Sequence, residues 1–277
     1  MTDNSFDAPA LRAVAEQLAT EAAEFVSRRR AEVFGAGVRD DGRTVRSKST
    51  PTDPVTIVDT ETERWLRERL AVLRPAEAIL GEEEGGQDDR PGLSWVLDPI
   101  DGTVNFVYGI PAYAVSVAAQ YDGRSVAGAV ANVPAGEVYS AALGHGAELV
   151  RDGLRTQLRC SGVEDLSMAL LGTGFAYDPP QRARQAAVLA QVLPSVRDVR
   201  RIGSCALDLC MVAAGRLDAY YEDGVQVWDW AAAALIAAEA GATVWLPTVP
   251  GAEYAAASAP GIAGALHDAL AGAGMDL

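Results

Sequence analysis

Trp95-Val96-Leu97-Asp98-Pro99-Ile100-Asp101-Gly102-Thr103 begins apolar and turns acidic with no polar transition. The apolar start predicts a buried strand that ends abruptly at Asp98-Pro99, where proline fixes the backbone. Asp101 then returns its carboxylate to the side on which Asp98 emerges. Gly102 permits close backbone approach by a ligand, and Thr103 sets a hydroxyl beside the acidic pair. Two carboxylates this close repel, and one protonates unless a cation lies between them. Oxygen donors without histidine or cysteine select Mg²⁺ or a similar hard ion.

Outward from this run the pattern alternates between helix and strand. Residues 8–33 have helical spacing, with Leu11, Val14, Leu18, Ala22, Phe25 and Val26 on one face, and Thr56 to Leu73 repeat it. Between them Arg39 to Pro54 reads as loop or irregular strand. Ala78–Leu80 is a short strand before Gly81-Glu82-Glu83-Glu84, and Gly85 to Gly92 a surface loop. Period two over Tyr113–Tyr121, Ser125–Val133 and Glu137–Ala141, broken at Asp122-Gly123 and Pro134-Ala135-Gly136, predicts antiparallel strands. Strands are then expected near 168–172, 197–202, 217–222 and 243–246, and helices near 181–194, 205–215, 230–240 and 261–271. The order implies a layered α/β chain in two halves. Residues 1–150 form an α+β half with most of the candidate metal ligands, and 151–277 an α/β half that completes the site.

Composition narrows the chemistry. The chain has 277 residues and a net charge of −15, with 49% hydrophobic and 22% charged residues, which fits a folded globular protein with a real core. The acidic balance argues against direct nucleic-acid binding. No stretch approaches the roughly 20 apolar residues of a membrane helix. Met1 to Asp7 lacks the basic region of a secretory leader, and three cysteines suit a reducing cytoplasm. Lys48 is the only lysine, and no Gly-Lys-Ser/Thr loop, Gly-x-Ser-x-Gly elbow, Cys-x-x-Cys or His-x-x-x-His pair occurs. Any catalysis therefore falls mostly to carboxylates.

Three further acidic positions stand at strand ends or helix starts: Asp59, Glu82 and Asp229. Each has a plain structural alternative. Asp59 could start the following helix, Glu82-Glu83-Glu84 could be a solvated charge run, and Asp229 could be an N-cap. Glu222 could pair with an arginine. Cys205 and Cys210 read as packing residues of one helix, His145 and His267 as surface residues, and Trp95 and Trp228 as core anchors.

Asp98-Pro-Ile-Asp-Gly-Thr103, Gly81-Glu-Glu83, and Trp228-Asp229 with Ala231-Ala232 and Glu239-Ala240-Gly241 resemble, in order and spacing, the inositol monophosphatase family over residues 10 to 265. The resemblance implies an α/β/α/β/α sandwich with mixed sheets, of the inositol monophosphatase/fructose-bisphosphatase type, and a homodimer. It implies two or three Mg²⁺ ions: Glu82, Asp98 and the Ile100 carbonyl for the first, Asp98, Asp101 and Asp229 for the second, Glu82 for a weaker third. Thr103, backed by Asp59, would orient the attacking water with Glu82. Gly102 and Thr103 would offer N–H groups to the phosphate, Gly203-Ser204-Cys205-Ala206 would approach the substrate, and Glu222 would bind a hydroxyl. Lys48 matches a lysine near the phosphate. Two positions depart from the family pattern: Ala233 stands where glycine is usual, and Cys205 where a small residue such as alanine is common.

The implied activity is hydrolysis of myo-inositol 1-phosphate by metal-activated water, with sensitivity to Li⁺. Metal ions would make an acidic pocket attractive to an anionic ester. The alternatives are another small phosphomonoester, such as histidinol phosphate or a nucleotide 3′-phosphate, and a protein-binding role in transcription complexes.

Overall fold

The computed structural model describes residues 6–35, 45–47, 54–86, 91–247 and 254–275. Helices α1 (Ala8–Phe34) and α2 (Ile57–Leu73) precede strands β3 (Ala78–Gly81), β4 (Gly85–Gly86) and β5 (Leu93–Asp101). A short β1/β2 pair (Val45–Ser47, Pro54–Thr56) lies before α2. After α3 (Thr103–Tyr108) come β6 (Ala114–Tyr121), β7 (Arg124–Asn132), β8 (Glu137–Ala142), β9 (Ala147–Arg151) and β10 (Leu154–Gln157). The remainder is β11 (Leu170–Thr173), α4 (Pro179–Val192), β12 (Asp198–Arg200), α5 (Cys205–Ala213), β13 (Ala219–Asp223), α6 (Val227–Glu239), β14 (Thr243–Trp245), β15 (Tyr254–Ser258) and α7 (Ala263–Gly272).

Two mixed sheets result, one ordered β10-β9-β8-β7-β6-β5-β3-β4 and one β12-β11-β13-β15-β14. The β3/β5 pair is parallel and the other pairs of the larger sheet are antiparallel. In the smaller sheet β11 runs parallel to β12 and β13, and β15 is antiparallel to β13 and β14.

Side-chain alternation turns these sheets into five layers. On one face of the larger sheet Trp95, Leu97, Val115 and Val117 pack on Leu11, Leu18 and Val26 of α1 and Leu66 and Leu70 of α2. On the other face Val96, Ala118, Val130 and Tyr139 pack on α5 and α6. Those helices are covered in turn by Tyr220, Ala255 and Ala257 of the smaller sheet. The outer face of that sheet, with Leu171, Ala219, Tyr221 and Ala256, carries Val192 of α4 and Leu266 and Leu270 of α7. The architecture is therefore an α/β/α/β/α sandwich, with layers formed because each sheet buries both faces.

Helix α6 sits in the middle layer, and its alanine run makes that possible. A Cβ placed on Gly128 of β7 would stand 2.9 Å from Ala232 Cα, so helix and sheet touch almost backbone to backbone. Ala233, at the family's usual glycine position, is itself fully buried in this layer. At the other end of α6, Glu239 accepts the N–H groups of Gly144 at 2.8 Å and Gly146 at 2.7 Å. The helix is thus tied at its tail to the β8–β9 turn.

The expected helices and strands are present within a few residues, with one correction and some additions. Strand β5 does not end at Asp98-Pro99. It pairs with β6 through Asp98↔Ser116 and resumes at Asp101↔Ala114, with Pro99 and Ile100 in a bulge between them. Proline lacks an N–H for the ladder, and a bulge lets the strand continue past it. Strands β4, β9, β10 and β15 and helix α3 are additions, and β4 replaces the start of the expected Gly85–Gly92 loop because Gly85 and Gly86 pair back onto β3. Most of the expected 39–54 loop lies outside the described residues, as does the middle of the 85–92 loop.

Candidate active site

The bulge in β5 aims two carboxylates the same way. Asp98 Oδ1 accepts the Ile100 N–H at 3.0 Å, which holds the side chain over its own turn. Asp101 accepts the Ala206 N–H at 2.7 Å and the Ser204 hydroxyl. Its carboxylate is therefore seated at the N-terminus of α5, where the helix dipole favours negative charge. Asp229 arrives from the middle layer. It is the third residue of α6 rather than its N-cap, and its Oδ2 accepts the Gln226 N–H at 2.6 Å.

Asp98, Asp101 and Asp229 each present an oxygen within 4.8 Å of the others. They line a cleft of about 450 Å³ with Glu82, Thr103, Cys205 and Glu222. Glu82 stands in the tight turn between β3 and β4, its N–H bonded to Leu97 O at 3.2 Å. That bond places it beside Asp98.

Burial and mutual repulsion oppose the charged forms of these carboxyls. Burial pushes the Asp98 carboxyl well above the ordinary range, and Glu82, Asp101 and Asp229 add to the shift. Burial pushes Asp101 up to about 7, although the Ser204 and Ala206 donors pull it down. Burial raises Asp229 as well, with Asp101 and Glu82 contributing. Converging carboxyls raised in this way favour their protonated forms, and a cation between them would restore the ionised ones. The donors are all oxygen, so the residues fit a hard divalent ion.

Around this centre the other anticipated residues take clear places. Thr103 opens α3, with its hydroxyl 3.2 Å from Asp59 Oδ1 and 3.0 Å from Ile100 O. Asp59 also closes a capping box at the start of α2, accepting the Thr56 N–H at 3.0 Å. It is a helix-start residue and a partner of Thr103 together. Gly102 has φ +92° and would meet Ala112 O at 3.0 Å if it carried a Cβ, so the turn into α3 requires glycine.

Gly203 and Ser204 reach the cleft, but Ser204 is engaged as the N-cap of α5 and as a donor to Asp101. Burial pushes the Cys205 thiol up, and the cysteine packs with its helix while one edge lines the cleft. Glu222 accepts the Tyr220 hydroxyl at 2.7 Å. Burial raises its carboxyl, opposed by Tyr220 and Arg201. Lys48 lies outside the described residues.

Sequence reading missed several cleft residues. Arg201, Gln181 and Tyr177 line the wall near Glu222. Asp208 of α5 is buried behind that wall, pushed well up by burial with Glu222 and Asp101 adding to it. The only signal for Arg201 was its place two residues before Gly203.

Comparison with known proteins agrees with this geometry. The family model for the inositol monophosphatase family matches residues 7–273. The chain belongs to the inositol monophosphatase family. Within it, the chain is 67% identical to an inositol-1-monophosphatase of Mycobacterium leprae, over 98% of this chain and 96% of the relative. The solved structure of Mycobacterium tuberculosis SuhB superposes with a TM-score of 0.84 at 60% identity, covering 98% of this chain and 99% of that one. A Nus factor SuhB of Pseudomonas aeruginosa is 42% identical over 69% of this chain and 72% of its own length. In this inositol monophosphatase family member both departures are buried, Cys205 lining the cleft and Ala233 packed in the helix layer, and neither is one of the three clustered aspartates.

Proposed function

We propose that this chain is a Mg²⁺-dependent phosphomonoesterase that hydrolyses myo-inositol 1-phosphate to myo-inositol and inorganic phosphate. The observation that carries the reading is the meeting of Asp98, Asp101 and Asp229 within 4.8 Å at the floor of an open cleft. Glu82, Asp98, the Ile100 carbonyl, Asp101 and Asp229 would hold two or three ions. Such ions supply water activation and neutralise charge on the phosphoryl oxygens.

The protein's own groups do the rest. Thr103 Oγ1 orients the attacking water and passes its proton toward Asp59 Oδ1, 3.2 Å away. Glu82 faces the same water from the β3–β4 turn. Gly102 and Thr103 turn backbone N–H groups to the phosphate, with Gly203 and Cys205 bordering it. Glu222, anchored by Tyr220, accepts a hydroxyl of the leaving alcohol and favours a polyhydroxylated substrate. Asp229 borders both the ions and that alcohol. The first 150 residues would contribute Glu82 to Thr103, and the remainder Cys205, Glu222 and Asp229. We extend the reading to a cytoplasmic homodimer inhibited by Li⁺.

The test is phosphate release from myo-inositol 1-phosphate, histidinol phosphate and a nucleoside 3′-phosphate, with and without Mg²⁺. Inositol phosphate should give the highest kcat/KM, and Asp101→Asn should lose far more than the roughly tenfold that 1.36 kcal/mol represents. Retention of activity within that factor would overturn the assignment. The relative called a Nus factor supports a second reading, a protein-binding role in transcription complexes. A phenotype fully rescued by Asp98→Asn would favour it.

A further inference from the structure

Glu63 is fully buried on α2, one turn after Asp59. Its Oε2 accepts the Glu83 N–H at 2.7 Å and its Oε1 the Glu84 N–H at 3.0 Å. With the Glu82 N–H bonded to Leu97 O, all three amides of the turn that carries Glu82 are committed. Arg67, one further turn along α2, donates Nε to Glu63 Oε1 at 2.9 Å and its other arm to the Gly85 carbonyl. The pair therefore grips both the donors and an acceptor of the same turn. Gly81 leaves room for the grip, because a Cβ there would stand 2.2 Å from Glu63 Oε1.

A buried carboxylate is costly unless its oxygens are satisfied. Here they are satisfied by the backbone of a turn, which ties the cost of burying Glu63 to the shape of that turn. We propose that Glu63, braced by Arg67, is a positioning residue that holds the β3–β4 turn so that Glu82 faces Asp98. Helix α2 then serves as a rigid ruler, setting Thr103 through Asp59 in its first turn and Glu82 through Glu63 in its second. Groups that hold a metal ligand in place commonly alter metal affinity by about 10–100-fold. The inference rests on the reading of Glu82 as a residue of the ion site.

Three variants of the full chain test it: Glu63→Gln, Arg67→Ala and Glu82→Gln. The readouts are Mg²⁺ titration of phosphate release and hydrogen exchange of the 81–86 peptide by mass spectrometry. Glu63→Gln keeps the shape but puts an amide donor against a backbone N–H, and Arg67→Ala removes only the brace. Both should raise the Mg²⁺ needed for half-maximal rate by about fivefold or more, largely restore kcat at saturating Mg²⁺, and speed exchange at Glu83 and Glu84. Unchanged Mg²⁺ dependence in both, alongside a shift in Glu82→Gln, overturns the proposal. Should Glu82→Gln itself leave the Mg²⁺ dependence unchanged, the ion-site reading of Glu82 fails. Exchange then decides alone: faster exchange in the Glu63 and Arg67 variants supports the grip on the turn, and unchanged exchange overturns it.

Discussion

Thr103 Oγ1 lies 3.2 Å from Asp59 Oδ1, across 44 residues of chain. Two helix starts, those of α2 and α3, meet over that one contact. The second oxygen of Asp59 is already held by Thr56, so the carboxylate is oriented before Thr103 reaches it. A threonine hydroxyl is an ordinary turn feature until such a partner gives its proton a destination.

Thr103→Val keeps the shape and removes the hydroxyl. Its kcat should fall roughly 10²–10⁴-fold, the usual range for a lost proton-transfer group, with the Mg²⁺ requirement little changed. Asp59→Asn should lose activity similarly and also weaken the cap of α2 by about 1 kcal/mol. Urea unfolding beside the kinetics separates the two effects, and normal kcat in Thr103→Val would remove the hydroxyl from the mechanism.

Asp101 makes stability depend on pH. Its folded carboxyl is raised from 3.8 to about 7, so its stabilising contribution is full below pH 3.8 and is lost as pH climbs to about 7. With chelator present, the melting temperature should fall between about pH 4 and pH 7 from this group, and added Mg²⁺ should raise it most at the alkaline end, where the ionised form binds. Asp101→Asn should make the chelated profile less steep, with the raised carboxyls of Asp98 and Asp229 still contributing. Thermal melts at both pH values, with EDTA or Mg²⁺, measure this directly.

Glu222 should divide substrates. Glu222→Gln removes the charged acceptor held by Tyr220, so KM for inositol 1-phosphate should rise about tenfold, equal to 1.4 kcal/mol. Hydrolysis of phenyl phosphate, which has no ring hydroxyl to bind, should change little. Equal losses on both substrates would assign Glu222 to the shared phosphate chemistry.

Gly128 is the packing test. A methyl there would lie 2.9 Å from both the Cα and Cβ of Ala232, and the helix is held between two sheets. Gly128→Ala should cost about 1–3 kcal/mol by overpacking, read from urea midpoints. It should also lower activity, because α6 carries Asp229.

Legibility followed the range of the forces involved. Helix α1 was readable because its buried face repeats at helical spacing from Leu11 to Val26. The acidic run was readable because a strand, a proline and a glycine act within a few residues. Strand β15 was not: Tyr-Ala-Ala-Ala-Ser has no alternation and weak strand propensity, yet it pairs with both β13 and β14 and buries Ala255 and Ala257 on one face and Ala256 on the other. The continuation of β5 through Pro99 escaped notice because only the register with β6 reveals a bulge. Glu63 and Arg67 stand at the i,i+4 spacing of any helical ion pair, and nothing local marks them as partners of the turn beyond β3.

The order of residues determined the helix faces, the strand runs, the bend at Asp98 to Thr103 and the all-oxygen character of the chemistry, since these follow from sterics, periodicity and side-chain type over short spans. Folding alone decided which acids meet. Asp229 reaches Asp98 and Asp101 because α6 is clamped between two sheets, and burial, absent from any linear chain, raises their proton affinity and makes their shared space hospitable to a cation.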